Sequence, residues 1–202
     1  MSWLLPILSG VLLSGCALFA SAPPEHVSLR PAPSRLPTYT VSGHTIIATP
    51  GPISVAVRPV GPEDVHRYFR RRPTRVNPLR ELGESVTPFF VRIENRSKDH
   101  VTFDPALTVL KDQENRSTAA WDAADLYQMF ADTPALLRAA QGAVFARYLV
   151  IRAEQSREGL VVFPAFRKDA KAVFLQFTSL YAGSMPFPLI FEFIVVPQVP
   201  KN

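Results

Sequence analysis

The chain has 202 residues, of which 47% are hydrophobic and 19% charged. That length holds one globular domain with a leader and a linker, is short for two full domains, and the composition excludes a wholly disordered chain. The formal net charge of +5 favours anionic surfaces without selecting one, and 20 prolines oppose long helices and favour a body of short extended segments.

Residues 1–15 carry no charged side chain, and residues 4–13 form an apolar run interrupted by Pro6, Ser9 and Gly10. A membrane-crossing helix needs about 20 apolar residues, so this run has the length of a signal-peptide apolar region instead. No Lys or Arg precedes it, which leaves the terminal amine as its positive charge. Leu13-Ser14-Gly15-Cys16 resembles the lipobox of bacterial lipoproteins. The resemblance implies cleavage before Cys16, a diacylglyceryl thioether on its sulfur and acylation, typically with palmitate, of the new amino terminus. Cys16 is the sole cysteine, so an internal disulfide is impossible and the one thiol sits at the acceptor position. Several acyl chains anchor stably, because each buried CH₂ adds about 0.8 kcal/mol and one chain alone is marginal. An Asp after the lipidated cysteine resembles an inner-membrane retention signal; Ala17 stands there instead, which implies an outer-membrane anchor facing the periplasm. The alternatives are an ordinary secretory signal with Cys16 as a buried free cysteine, or cleavage at a later site such as Ala20-Ser21-Ala22.

Residues 16–44 read as a lipidated amino terminus and linker, since Pro23, Pro24, Pro31, Pro33 and Pro37 make a stiff, extended spacer. The folded domain is expected over 45–200. Its opening strand is 53–60. In 87–95, Phe89, Val91 and Ile93 fall on one face and Phe90, Arg92 and Glu94 on the other, the period of two of a half-buried strand. A polar turn at 95–99 leads to further extended pieces at 101–103 and 107–110.

Between about 119 and 142 the pattern changes. Leu126, Met129 and Phe130, then Leu136, Leu137 and Ala140, recur at helical spacing, and Thr133 with Pro134 reads as a cap and first position. One or two inserted helices are expected there. Strands resume at 159–163, 172–177 and 187–196, the last with Phe187, Leu189, Phe191, Phe193 and Val195 on one face. So many one-sided strands are buried most economically by two facing sheets, so the expected fold is mainly β, an immunoglobulin-like antiparallel β-sandwich with a helical insertion.

The segments Phe89-Phe-Val-Arg-Ile-Glu-Asn-Arg-Ser97, Val101-Thr-Phe-Asp-Pro105 and Gly159-Leu-Val-Val-Phe-Pro164 resemble a broad group of envelope lipoproteins of uncharacterised role with immunoglobulin-like domains. They are also distantly similar to sandwiches of the water-stress and hypersensitive-response type. These motifs encode strands and turns rather than a site, so they speak to fold and not to function.

Chemistry is sparse. The most basic stretch, 66–75, holds Arg67, Arg70, Arg71, Arg72 and Arg75 with Tyr68 and Phe69 interleaved, and Arg80 follows. Planar guanidinium groups make bidentate bonds to phosphate and carboxylate and stack on rings. Export argues against nucleic acid, which leaves an anionic lipid or glycan or an acidic envelope protein as partner. The plainer reading is a solvated loop or short helix whose Tyr68 and Phe69 plug into the core. His26, His44, His66 and His100 lie in separate segments without metal-ligand spacing, and no nucleophile motif is present, so neither a metal, another cofactor nor an enzymatic activity is expected. The many carboxyl-terminal phenylalanines read as core rather than a groove. The sequence therefore points to a non-catalytic, lipid-anchored binding or scaffolding module, with a carrier of lipid or another hydrophobic ligand as the alternative.

Overall fold

The computed structural model describes residues 27–34 and 36–197; the leader, the lipobox with Cys16, and His26 lie outside them. Strands β1 (Val27–Pro31), β2 (Tyr39–Ser42), β3 (Thr45–Ala48) and β4 (Ile53–Pro59) lead to helix α1 (Pro62–Arg70). Strands β5 (Val86–Asn95), β6 (Val101–Phe103), β7 (Thr108–Asp112) and β8 (Ser117–Ala119) precede helices α2 (Ala123–Phe130) and α3 (Pro134–Gln141). Then come β9 (Leu149–Ile151), β10 (Ser156–Pro164), β11 (Ala172–Phe177), β12 (Leu180–Ala182), β13 (Met185–Pro186) and β14 (Leu189–Pro197). The protein is mainly β, with antiparallel sheets and three helices among the described residues.

The strands form two five-stranded sheets, ordered β1-β14-β11-β7-β8 and β10-β5-β4-β3-β2, and a smaller four-stranded sheet, β13-β12-β6-β9. Alternation along each strand sets which side is buried. Phe89, Val91 and Ile93 of β5, with Ile53, Val55 and Val57 of β4, share one apolar cluster with Leu189, Phe191 and Phe193 of β14 and Val173, Leu175 and Phe177 of β11. Phenylalanines fill this space edge to face: Phe89 meets Phe163 at 5.9 Å, Phe177 meets Phe191 at 5.4 Å, and Tyr39 meets Phe191 at 5.8 Å between ring centroids. Such pairs add about 1 kcal/mol each beyond the area they bury. Of the carboxyl-terminal phenylalanines expected as core, Phe163, Phe177, Phe191 and Phe193 are buried in this cluster and Phe166 and Phe187 pack against it, whereas Phe174 of β11 is half-buried on the other face of its strand.

A second cluster occupies the opposite side of the β10-β5 pair. Leu160 and Val162 of β10 and Val86 of β5 pack there with Val65 and Phe69 of α1, Leu126 and Phe130 of α2, and Ala140 of α3. Residues of alternate parity on β5 and β10 thus serve two cores, because helices cover the face that would otherwise meet water.

Each helix has a local cause. Pro62 opens α1 with Glu63 and Asp64 in the first turn and Arg67 and Arg70 in the last, matching the helix dipole. For α2, the Asp122 carboxylate accepts hydrogen bonds from the backbone N–H groups of Ala124 and Asp125, while the Asp125 carboxylate accepts one from the Asp122 N–H, a capping box. Pro134 opens α3 as expected, but the Thr133 side chain makes no capping hydrogen bond. Met129, expected on the inner face, is exposed, whereas Leu126 and Phe130 are buried.

The fold also begins earlier than residue 45. β1 pairs with β14 along its whole length and buries Leu29, and β2 pairs with β3. Pro31 is accommodated because β1 stands at the edge of its sheet, where a missing N–H costs little.

Candidate anionic-partner interface

The arginine-rich stretch is helical through Arg70 and turns sharply after it. Val65 and Phe69 are buried and fix one face of α1 against the sheet, so polar residues of the same helix are forced outward. Arg71 terminates α1, its N–H donating to the Tyr68 carbonyl, and Arg75 follows in a left-handed conformation with φ 52°. Buried Leu79, its N–H bonded to Asn77 Oδ1 at 3.0 Å, holds the segment that carries Arg80.

The six predicted arginines divide by environment. Arg67, Arg70, Arg71, Arg75 and Arg80 are exposed. Arg67 donates to Asp64 at 3.1 Å, and Arg58 reaches the same carboxylate at 3.5 Å, so Arg67 is partly neutralised. Arg70, Arg71, Arg75 and Arg80 form no ion pair among the described residues. Arg72 turns the other way: its guanidinium lies 4.5 Å from the Tyr68 ring centroid, donates to the Tyr68 hydroxyl, and stands 3.7 Å from Glu158 of β10. Burial raises the Tyr68 pKa, with the Arg72 charge opposing it. Arg72 therefore fastens α1 to β10, with Tyr68 edge-on to both Phe69 and Phe90; it belongs to the packing rather than to the outward face. Phe69 is buried in the apolar cluster and Tyr68 packs against it, while Arg67, Arg70 and Arg71 beside them remain exposed.

Sequence reasoning missed a neighbouring feature. A cleft of about 470 Å³ lies where Arg72 meets the edge of β10, lined also by Arg147, Tyr148, Arg157 and Glu158 over an apolar base that includes Leu126 and Phe145. Arg147, Tyr148 and Arg157 are exposed. Segment 143–145 forms one wall by pairing with β10: Leu160 N–H donates to the Ala143 carbonyl at 2.9 Å, and Phe145 N–H donates to the Leu160 carbonyl at 2.7 Å. The three arginines are far apart along the chain, so no local motif announces them.

Among the described residues no group of three His, Cys, Asp or Glu side chains is placed to hold a metal ion, and no helix is long and apolar enough to cross a membrane.

No protein-family model matches the chain. No curated protein matches it either. Among solved structures, a FixG-related protein from Vibrio parahaemolyticus is similar over 72% of this chain and 97% of its own, at 10% identity and a TM-score of 0.39. The yjhA protein from Bacillus subtilis is similar over 71% of this chain and 79% of its own, at 11% identity and a TM-score of 0.35. A functionally unknown protein from Listeria monocytogenes EGD-e is similar over 85% and 86%, at 13% identity and a TM-score of 0.35. At these scores the likenesses carry no argument about fold or function.

Proposed function

We propose that this protein is a non-catalytic binding module of a bacterial envelope, tethered by lipid on Cys16, that engages an anionic envelope component through the outward arginines of α1 and the loop after it. The observation that carries the reading is the division of the arginine stretch. Val65 and Phe69 secure α1 from below and Arg72 secures its end, while Arg70, Arg71, Arg75 and Arg80 stand exposed and form no ion pair among the described residues. Arg70 is held at the end of an ordered helix, so it loses less freedom on binding than it would on a mobile loop, and guanidinium groups match phosphate and carboxylate geometry. The two five-stranded sheets facing one another over a shared phenylalanine core support the finer reading of an immunoglobulin-like sandwich as scaffold. The lipobox resemblance, with Cys16 as the sole thiol, supports the outer-membrane anchor.

The test compares the native chain with an Arg70→Glu, Arg71→Glu variant, each affinity-purified from crosslinked envelopes. Loss of the captured partner is expected; an unchanged set of partners sinks the reading. The anchor is tested separately by palmitate labelling of native protein and a Cys16→Ser variant. The label is expected in the native chain and absent from the variant, and equal labelling removes the anchor from the account.

A further inference from the structure

We propose that the cleft between α2, segment 143–149 and the β10 edge binds an organic phosphomonoester, such as a phosphorylated sugar. Arg72, Arg147 and Arg157 line it together with one carboxylate, Glu158, which leaves two positive charges uncompensated within a single concavity. A phosphomonoester carries about −1.5 to −2 charge near neutral pH, which matches that surplus; a single carboxylate leaves half of it unanswered. Arg72 is already immobilised by Tyr68 and Glu158, so one of the three guanidiniums is ordered before any ligand arrives.

The backbone supplies a further donor. Residue 160 turns both its N–H and its carbonyl to the outer edge of β10, where segment 143–145 takes them. By the period of two, Glu158 presents its N–H on the same edge. Segment 143–145 covers residue 160 and Trp121 N–H bonds the Val162 carbonyl, but no hydrogen bond covers the outer edge at 158 among the described residues. A free edge amide on the strand that carries Arg157 and Glu158 adds a backbone donor to the arginine-lined wall of the cleft.

The cleft has room for more than a bare ion. A cleft of about 470 Å³ falls in the size range of small-molecule sites, roughly 300–1,000 Å³, well beyond what a phosphate fills. Tyr148, exposed at 59%, offers an aromatic face for the C–H side of a sugar ring, and Leu126 and Phe145 provide an apolar base. The inference stands apart from the α1 face, since its discriminating residues are Arg147 and Arg157.

The experiment is isothermal titration of the full-length protein in neutral detergent with glucose 1-phosphate, glucose and inorganic phosphate. Native protein is compared with an Arg147→Ala, Arg157→Ala variant whose thermal unfolding is recorded alongside. Saturable binding of glucose 1-phosphate is expected, weakened by at least about tenfold in the variant, as loss of two charge-assisted contacts requires. Glucose gives no saturable heat, and inorganic phosphate binds at least about tenfold more weakly than the ester. The Arg70→Glu, Arg71→Glu variant keeps its affinity for the ester within about threefold, because neither residue lines the cleft and both are exposed to screening by salt. The proposal is overturned if the ester fails to bind, if a variant that unfolds like the native protein binds it equally well, if phosphate matches it, or if the α1 variant is the one that loses it.

Discussion

Gly159 of β10 faces the ring of Phe145 so closely that a β-carbon at position 159 would lie 2.5 Å from Phe145 Cε1, with two more ring atoms inside 3.0 Å. The absence of a side chain on β10 is therefore what allows segment 143–149 to close over the strand edge. Phe145 in turn reaches the main core while its neighbours form a wall of the arginine-lined cleft.

Alanine in place of glycine ordinarily strengthens a strand by roughly 0.5–1 kcal/mol, but here the ring must be expelled. Gly159→Ala is expected to destabilise by about 1–3 kcal/mol, the usual cost of overpacking, read as a fall in the urea midpoint. In a Phe145→Ala background the same change should cost much less. A midpoint at or above the native one in the single variant contradicts the packing described.

Asn95 is a buried polar hub at the end of β5. Its amide donates to the Asp99 carbonyl at 2.7 Å and the Ile151 carbonyl at 3.0 Å, and its oxygen accepts from Ser97 N–H at 2.9 Å and Ser97 Oγ at 2.6 Å. These bonds shape the turn into β6 and tie it to β9. Asn95→Leu strands those partners and is expected to cost on the order of 3 kcal/mol in equilibrium unfolding; a loss below about 1 kcal/mol would show that the turn holds without them.

Thr108 presents the opposite case, since its hydroxyl is buried without a hydrogen-bond partner among the described residues. A buried, unsatisfied hydroxyl costs about 1–3 kcal/mol, so Thr108→Val should raise stability by about 1 kcal/mol. A lowered unfolding temperature would mean that the hydroxyl is satisfied in solution.

The turn between β7 and β8 responds to acid. Desolvation raises the Asp112 pKa, but this is outweighed by hydrogen bonds from Arg116 Nε and from the backbone N–H groups of Arg116 and Glu114 and by the Arg116 charge, so the carboxyl lies below its ordinary value. A group with a lowered folded-state pKa contributes stability above its unfolded pKa, and that contribution disappears as pH falls through the folded value. Asp112→Asn should therefore lower the urea midpoint near neutrality and flatten its decline in acid. Parallel pH profiles for native and variant protein would contradict the role assigned to this turn.

Much of the strand layout was legible because side-chain parity is a local signal: 172–177 and the Phe89, Val91, Ile93 face of β5 follow directly from it. The inserted helices were legible for the same reason, with α2 and α3 inside the expected 119–142. β1 was hidden because its five residues end on a proline and bury chiefly Leu29, which resembles a spacer until β14 is placed beside it. In the basic stretch, composition located the outward arginines but did not separate Arg72 from them, since its orientation depends on Glu158, far away in the chain. The cleft was invisible for the same reason: Arg72, Arg147 and Arg157 meet only through the β10 edge.

The most direct measurement of the central claim places a photo-crosslinking amino acid at exposed His66 on α1, and separately at exposed Ser184 beyond the far end of β5. α1 follows β4 at the end where Pro59 pairs with Phe89 early in β5, whereas the turn at Gly183 neighbours Asp99, past the end of β5. Irradiation of intact cells should join a partner to the protein carrying the probe at 66 and leave the one at 184 unjoined. Equal yields at the two positions, or a product at 184 alone, would contradict recognition through the arginine face.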